Sequence, residues 1–196
     1  MRLLKFLAIS LIILFPGSNA CYHQTSSSVT QSDCAVSSLV QKIPGTPGVV
    51  TFTSHCKDYR FDIRSMKAAL DIFSKEYALE FDITEREAMS LLSGLRIELS
   101  AIPRSVHAAY SVEGELQQGD VPVNGLALDR DNIWVEVKTS SISHSALIHE
   151  LIHIIIWRQN IVHGDPDHEG EQFSGWSSKH TKLIKRVNSI LLDAGI

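Results

Sequence analysis

Beyond its first fifteen residues the 196-residue sequence has no apolar run long enough to cross a bilayer as a helix, which takes about 20 residues. It also lacks basic excess. Lys and Arg number 18 against 22 Asp and Glu, for a net charge of −4 and a pI near 6.1. General nucleic-acid binding needs clustered Lys and Arg against phosphates, so no nucleic-acid partner is expected. Cysteine is scarce, with three residues, which leaves room for at most one disulfide. No internal repeat is present. Hydrophobic residues make up 44% and charged residues 20%; this is globular composition, and it excludes a disordered tail, a fibre or a coiled coil. The length fits one domain.

The N-terminus carries an address. Arg2 and Lys5 precede ten uncharged residues, 6–15, then Pro16-Gly17 and Ser18-Asn19-Ala20. A positive start, a short apolar stretch and small residues at a cleavage site read as a secretory signal over residues 1–20. Ten apolar residues are too few to span about 30 Å of hydrocarbon. Cys21 follows directly, and the junction resembles a bacterial lipoprotein signal, although Ser18 and Asn19 depart from the usual box. Plain cleavage after Ala20, leaving Cys21 as a free N-terminus, is the alternative. Residues 22–33 are polar and Ser-rich, as a tether should be, and the tether is read over 21–44. If Cys21 carries lipid, Cys34 and Cys56 remain as an even pair in an oxidising compartment and are expected to form a disulfide. In the chain-entropy picture that closure stabilises the fold by roughly 3 kcal/mol. The expected location is the bacterial cell envelope, with the membrane engaged through the N-terminal lipid.

Residues 45–196 are read as one α+β domain. Residues 49–53 are β-branched and aromatic, and predict a strand. Asp62 can cap a helix to about Glu80, with Met66, Leu70, Phe73 and Tyr77 at helical spacing. Thr84 and Glu87 form a capping box for a second helix, ended by Gly94. Residues 96–102 and 105–112 read as strands and 113–120 as a polar loop. Two short strands, 126–128 and 133–137, flank a turn at 129–132. Ser143 is expected to cap a helix over 144–159 that is apolar nearly all round, the mark of a buried helix. Ser177 can cap a last amphipathic helix, with Leu183, Ile184, Val187, Ile190 and Leu191 inward.

Five of the nine histidines lie between His144 and His168. Among them runs His149-Glu150-Leu151-Ile152-His153. Residues four apart share a helix face, so both imidazoles can reach one Zn²⁺ at about 2.0–2.1 Å. Glu150 lies about 100° round the helix, where its carboxylate can take a proton from a metal-bound water. Zinc lowers the pKa of such a water toward about 7. The pattern also sits in the most apolar segment of the mature chain, where three ionisable groups are costly unless compensated, and a metal would compensate all three.

An HExxH helix preceded by a strand resembles a zincin metallopeptidase. The resemblance covers roughly residues 126–176, and only the five-residue motif is specific. It implies a short twisted sheet, an active-site helix and a closing C-terminal helix. In that superfamily the strand beside the active-site helix pairs with an extended peptide substrate, which makes residues 133–137 a candidate edge. The subfamily stays open. A metzincin would need Gly and His where this chain has Ile156 and Gln159. Glu169 and Glu171 would suit a gluzincin ligand, and Asp165 or Asp167 an aspzincin one. The third ligand is sought in residues 163–169. His168 is favoured, because the turn at 164–167 can fold it back under the metal, and His163 is the runner-up. The aspartates would then orient an imidazole N–H.

His107, Tyr110 and His180 are weaker candidates for stabilising an oxyanion. Trp157 and Trp176 read as core or rim, and His23 and His55 as surface residues. The expectation is an exported zinc metallopeptidase acting on a peptide or protein, with metal ligands His149, His153 and His168 and general base Glu150. The alternative is a non-catalytic zinc-binding or interaction lipoprotein of the envelope.

Overall fold

The structure is a computed structural model that describes residues 39–48, 50–54, 63–112, 115–138, 141–159 and 176–196. The signal and tether residues 1–38, including Cys21 and Cys34, lie outside the described residues, as do His23, His55, Cys56 and Asp62. Among the described residues no helix is long and apolar enough to cross a membrane.

Seven strands and four α-helices are described. β1 (Leu39–Lys42) and β2 (Thr51–Ser54) lead into α1 (Ile63–Phe81) and α2 (Glu85–Ser90). Next come β3 (Arg96–Ser100), β4 (Arg104–Val112), β5 (Glu115–Val123), β6 (Gly125–Asp129) and β7 (Asn132–Glu136). A 3₁₀ turn (Ile142–His144), α3 (Leu147–Arg158) and α4 (Ser178–Asp193) close the chain. The class is α+β. β1 shows that part of the stretch read as tether belongs to the sheet.

Five strands form one mixed sheet in the order β1-β2-β3-β7-β6. The inner three run parallel, and β1 and β6 are antiparallel edges. The register aligns Phe52 with Ile97 and Ile97 with Ile133, then Leu99 with Val135. These five side chains are buried and floor the core, because alternate residues of a strand share a face. The helices cover that floor: α3 packs on β6 and β7, and α1 packs on α4. Leu70, Phe73, Ile152, Ile155, Leu183 and Val187 fill the space between. Each such side chain contributes roughly 1.5–3 kcal/mol on leaving water.

β7 is buried on both faces. Its outward Trp134 is covered by the Arg104 guanidinium, 4.9 Å above the ring centroid, and Arg104 is held by Glu98 at 2.8 Å. With β3 on one side and β6 on the other, β7 is an interior strand. Residues 133–137, expected as an edge, are therefore not one, and the edge on that side of the sheet is β6.

The capping box of α2 forms as its residues require. The Glu87 N–H donates to Thr84 Oγ1 at 3.1 Å, and the Thr84 N–H donates to the Glu87 carboxylate at 2.8 Å. Gly94, at φ +70°, turns the chain after it. Two expectations are corrected. Residues 115–120 are strand, because β4 and β5 pair along nine residues as a separate two-stranded ribbon. Ser143 does not cap α3: its N–H donates to the Ile196 carbonyl, and the helix begins after Ala146.

Arg158 locks the end of α3. Its guanidinium donates to the carbonyls of Leu91 and Ser93 at 2.8 Å, to the Arg130 carbonyl at 2.8 Å and to Asp131 at 2.7 Å. One side chain thus ties the site helix to the α2–β3 link and the β6–β7 turn. Arg186 of α4 makes a parallel tie to Glu76 and Glu80 of α1.

Candidate active site

α3 presents His149, His153 and Trp157 as one stripe, each four residues from the next, and all three line a cleft of about 490 Å³. One wall is the open edge of the sheet, with Asn124, Gly125 and Leu126. Ile184 and Asn188 of α4 form another part of the lining, and Val106 and Val123 bring in the base of the β4–β5 ribbon.

His149 Nε2 and His153 Nε2 converge to 3.1 Å. Glu150 and His153 are each 4% exposed, and Glu150 also lines the cleft. Trp176 packs over both imidazoles, with centroids 5.2 Å from His149 and 5.0 Å from His153. Its indole N–H donates to Thr181 Oγ1 at 3.2 Å. The indole fixes one side of the histidine pair and leaves the other toward the cleft.

Behind Trp176 stands His180, 5.7 Å away, stacked on Phe81 at 4.6 Å. His180 occupies the third position of α4 and completes a capping box with Ser177, whose N–H donates to His180 Nδ1 at 3.0 Å. Burial pushes the imidazole pKa down to about 4, with the Glu80 charge opposing weakly. Tyr77, in the same aromatic group, is pushed up to about 12 by burial, a rise trimmed by its hydrogen bond to Gln159.

The structure brings His149, Glu150 and His153 together at the cleft. The third-ligand candidates His163, Asp165, Asp167, His168, Glu169 and Glu171 lie outside the described residues. Among the described residues no group of three His, Cys, Asp or Glu side chains converges as a metal cage. His107 stands on the ribbon, 3.2 Å from Asp120 and exposed. His180 is part of the core. Trp176 is core as read, and Trp157 is partly buried at the rim of the cleft.

Among the cleft residues that escaped the sequence reading are Asn188 and Gly125. Asn188 shares the inward face of α4 with Ile184 and Leu191, so a polar residue on an apolar stripe was the available signal. Gly125 opens β6 against Glu150, and nothing in the sequence near it marks that contact.

No family model matches the chain, and no curated protein or solved structure matches it either.

Proposed function

We propose that the protein is a zinc-dependent peptidase of zincin-like arrangement, exported and held at the envelope by lipid on Cys21. The observation that carries the catalytic reading is the approach of the two Nε2 atoms to 3.1 Å beside a buried glutamate in a cleft. Two nitrogens each about 2.0–2.1 Å from one zinc in tetrahedral geometry stand roughly 3.4 Å apart. The pair fits with a shift of a few tenths of an ångström. His149 and His153 would hold the metal, with the third donor from residues 163–171, His168 being favoured. Zinc bound there supplies a Lewis acid and a water acidic enough to deprotonate near neutral pH.

The remaining steps fall to the chain. Glu150, one residue along the helix from His149, takes the proton from the attacking water and passes it to the leaving amine. Its burial limits competing solvent, which strengthens a charge interaction at that point. β6 has no neighbour on its outer side among the described residues. An extended peptide adding to that edge by main-chain hydrogen bonds would run beside Glu150. The described lining is mostly apolar, including Val106, Leu126 and Ile184, and it favours apolar side chains flanking the scissile bond.

Metal analysis of purified protein should find about one zinc per chain. Glu150→Gln should keep that zinc and lower peptide hydrolysis by a factor of about 10²–10⁴, the usual worth of a positioned proton acceptor. Hydrolysis at the parent rate by this variant would refute the assignment of Glu150.

A further inference from the structure

The first residue of β6 makes an unusually close approach to the site helix. Gly125 pairs with Val135 in the sheet, and the neighbouring Asn124 carbonyl accepts the Glu136 N–H at 2.8 Å, so the strand backbone is pinned there. A β-carbon built at Gly125 would stand 2.7 Å from Ala146 Cβ and 2.8 Å from Glu150 Cγ, and closer still to Glu150 Oε1. Real Cβ atoms are essentially never found at such separations. The backbone of Gly125 is not in the left-handed region, so conformation does not demand glycine. Space does. That space is taken by Ala146 Cβ and by the Glu150 side chain, whose carboxylate is assigned above as the proton acceptor.

We infer that Gly125 is a positioning residue for Glu150: its missing side chain lets the sheet edge close on the helix and sets where the carboxylate lies in the cleft. The inference rests on the peptidase reading and specifies how that site is built. A methyl group at 125 has two ways to be accommodated. It can turn the Glu150 side chain away, or it can push the strand from the helix N-terminus at Ala146. Only the first acts through the carboxylate.

The test uses full-length zinc-loaded protein, fluorescein-labelled casein as substrate, and four variants: Gly125→Ala, Glu150→Gln, their combination, and Gly125→Ala with Ala146→Gly. Zinc content is measured throughout. The cobalt-substituted forms are titrated from pH 5 to 9 by visible absorption, which reports the ionisation next to Glu150 without any substrate. Gly125→Ala should lose about a hundredfold or more in kcat/KM, keep one zinc, and shift the cobalt titration in the same direction as Glu150→Gln. In the Glu150→Gln background it should add less than about threefold, because residues acting as a unit are not additive. Ala146→Gly removes the packing clash alone and should not restore activity.

The inference is overturned if Gly125→Ala matches the parent, loses its metal, multiplies the Glu150→Gln loss in full, or is rescued by Ala146→Gly. A parent that binds metal and shows the pH-dependent cobalt spectrum but leaves casein intact still tests the glycine through the spectrum. A parent that binds no metal refutes the zinc reading, and this inference with it.

Discussion

His180 offers a sharp test of the packing around the site, because its neutral form is built into the fold. The ring is 5% exposed, stacked on Phe81, and its Nδ1 accepts the Ser177 N–H at 3.0 Å. An imidazole accepting at Nδ1 carries its proton on Nε2, and a second proton on Nδ1 would break the cap. In the unfolded chain His180 titrates at its ordinary 6.5, and in the folded protein at about 4. Between those values the unfolded state binds more protons, so stability must fall as the pH drops through that window. Above pH 6.5 the effect is absent. At about 1.4 kcal/mol per pH unit the full loss is roughly 3 kcal/mol, of which about 2 kcal/mol is spent between pH 7 and pH 5. The perturbation is His180→Gln, since glutamine at the third helical position keeps a capping box and does not titrate. Urea unfolding of both proteins at pH 7, 6 and 5, in the presence of chelator, gives the difference in stability. The variant starts lower at pH 7, because a ring is lost from the aromatic group, but the gap should shrink by about 2 kcal/mol by pH 5. A gap constant within about 0.5 kcal/mol would show that His180 is not held neutral by its burial, and would undo the account of the Trp176–His180–Phe81 packing.

Other expectations follow from the same geometry. Arg158→Met strips four hydrogen bonds from the end of α3, three of them to backbone carbonyls. With charge-assisted bonds to partly buried groups at stake, it should cost about 2–3 kcal/mol in urea unfolding; a loss under 0.5 kcal/mol would mean that the clamp is ornamental. Zinc at a hundred times its dissociation constant should raise stability by about 2.7 kcal/mol, as any ligand exclusive to the native state must. Chelator should reverse the gain and His153→Ala should abolish it, and a melting temperature indifferent to zinc in the parent would contradict a metal site.

The parts of the fold legible in the sequence are those where local rules and burial agree. Thr84 and Glu87 announce a capping box, and α2 follows them. Ser177 announces α4, although the reciprocal partner at its third position is a histidine rather than the usual Glu or Gln. The all-round apolar character of α3 gives its burial at once. The second strand of the ribbon was not legible, although the first, read over 105–112, was. Residues 115–120 have no alternation of apolar and polar side chains, and what makes β5 a strand is its pairing with β4 along nine residues. Periodicity is the signal a sequence offers for a strand, so a strand without it reads as loop. The interior position of β7 was not legible either, because its parallel partner β3 is distant in the sequence. Its alternate residues Ile133 and Val135 suggest one buried face, and Arg104, thirty residues from Trp134, lies over that ring and buries the second.

The site divides along the same line. His149 and His153 are related by helix geometry, a local property, and their convergence could be written down from spacing alone. The contact between Glu150 and Gly125 depends on how far an edge strand approaches a helix across the sheet, which no window of sequence contains. Glycine at 125 carries no side chain with which to advertise chemistry, and its value lies in the space it leaves. On the proposed reading, the reacting groups can be read from the sequence, and the residue that sets where they lie cannot. The charge pattern makes the point from the other side. Glu150 is an acidic group buried in the most apolar helix of the chain, a local contradiction of the folding rules that points to function. Gly125, at the start of a short edge strand, contradicts no rule and gives no such sign.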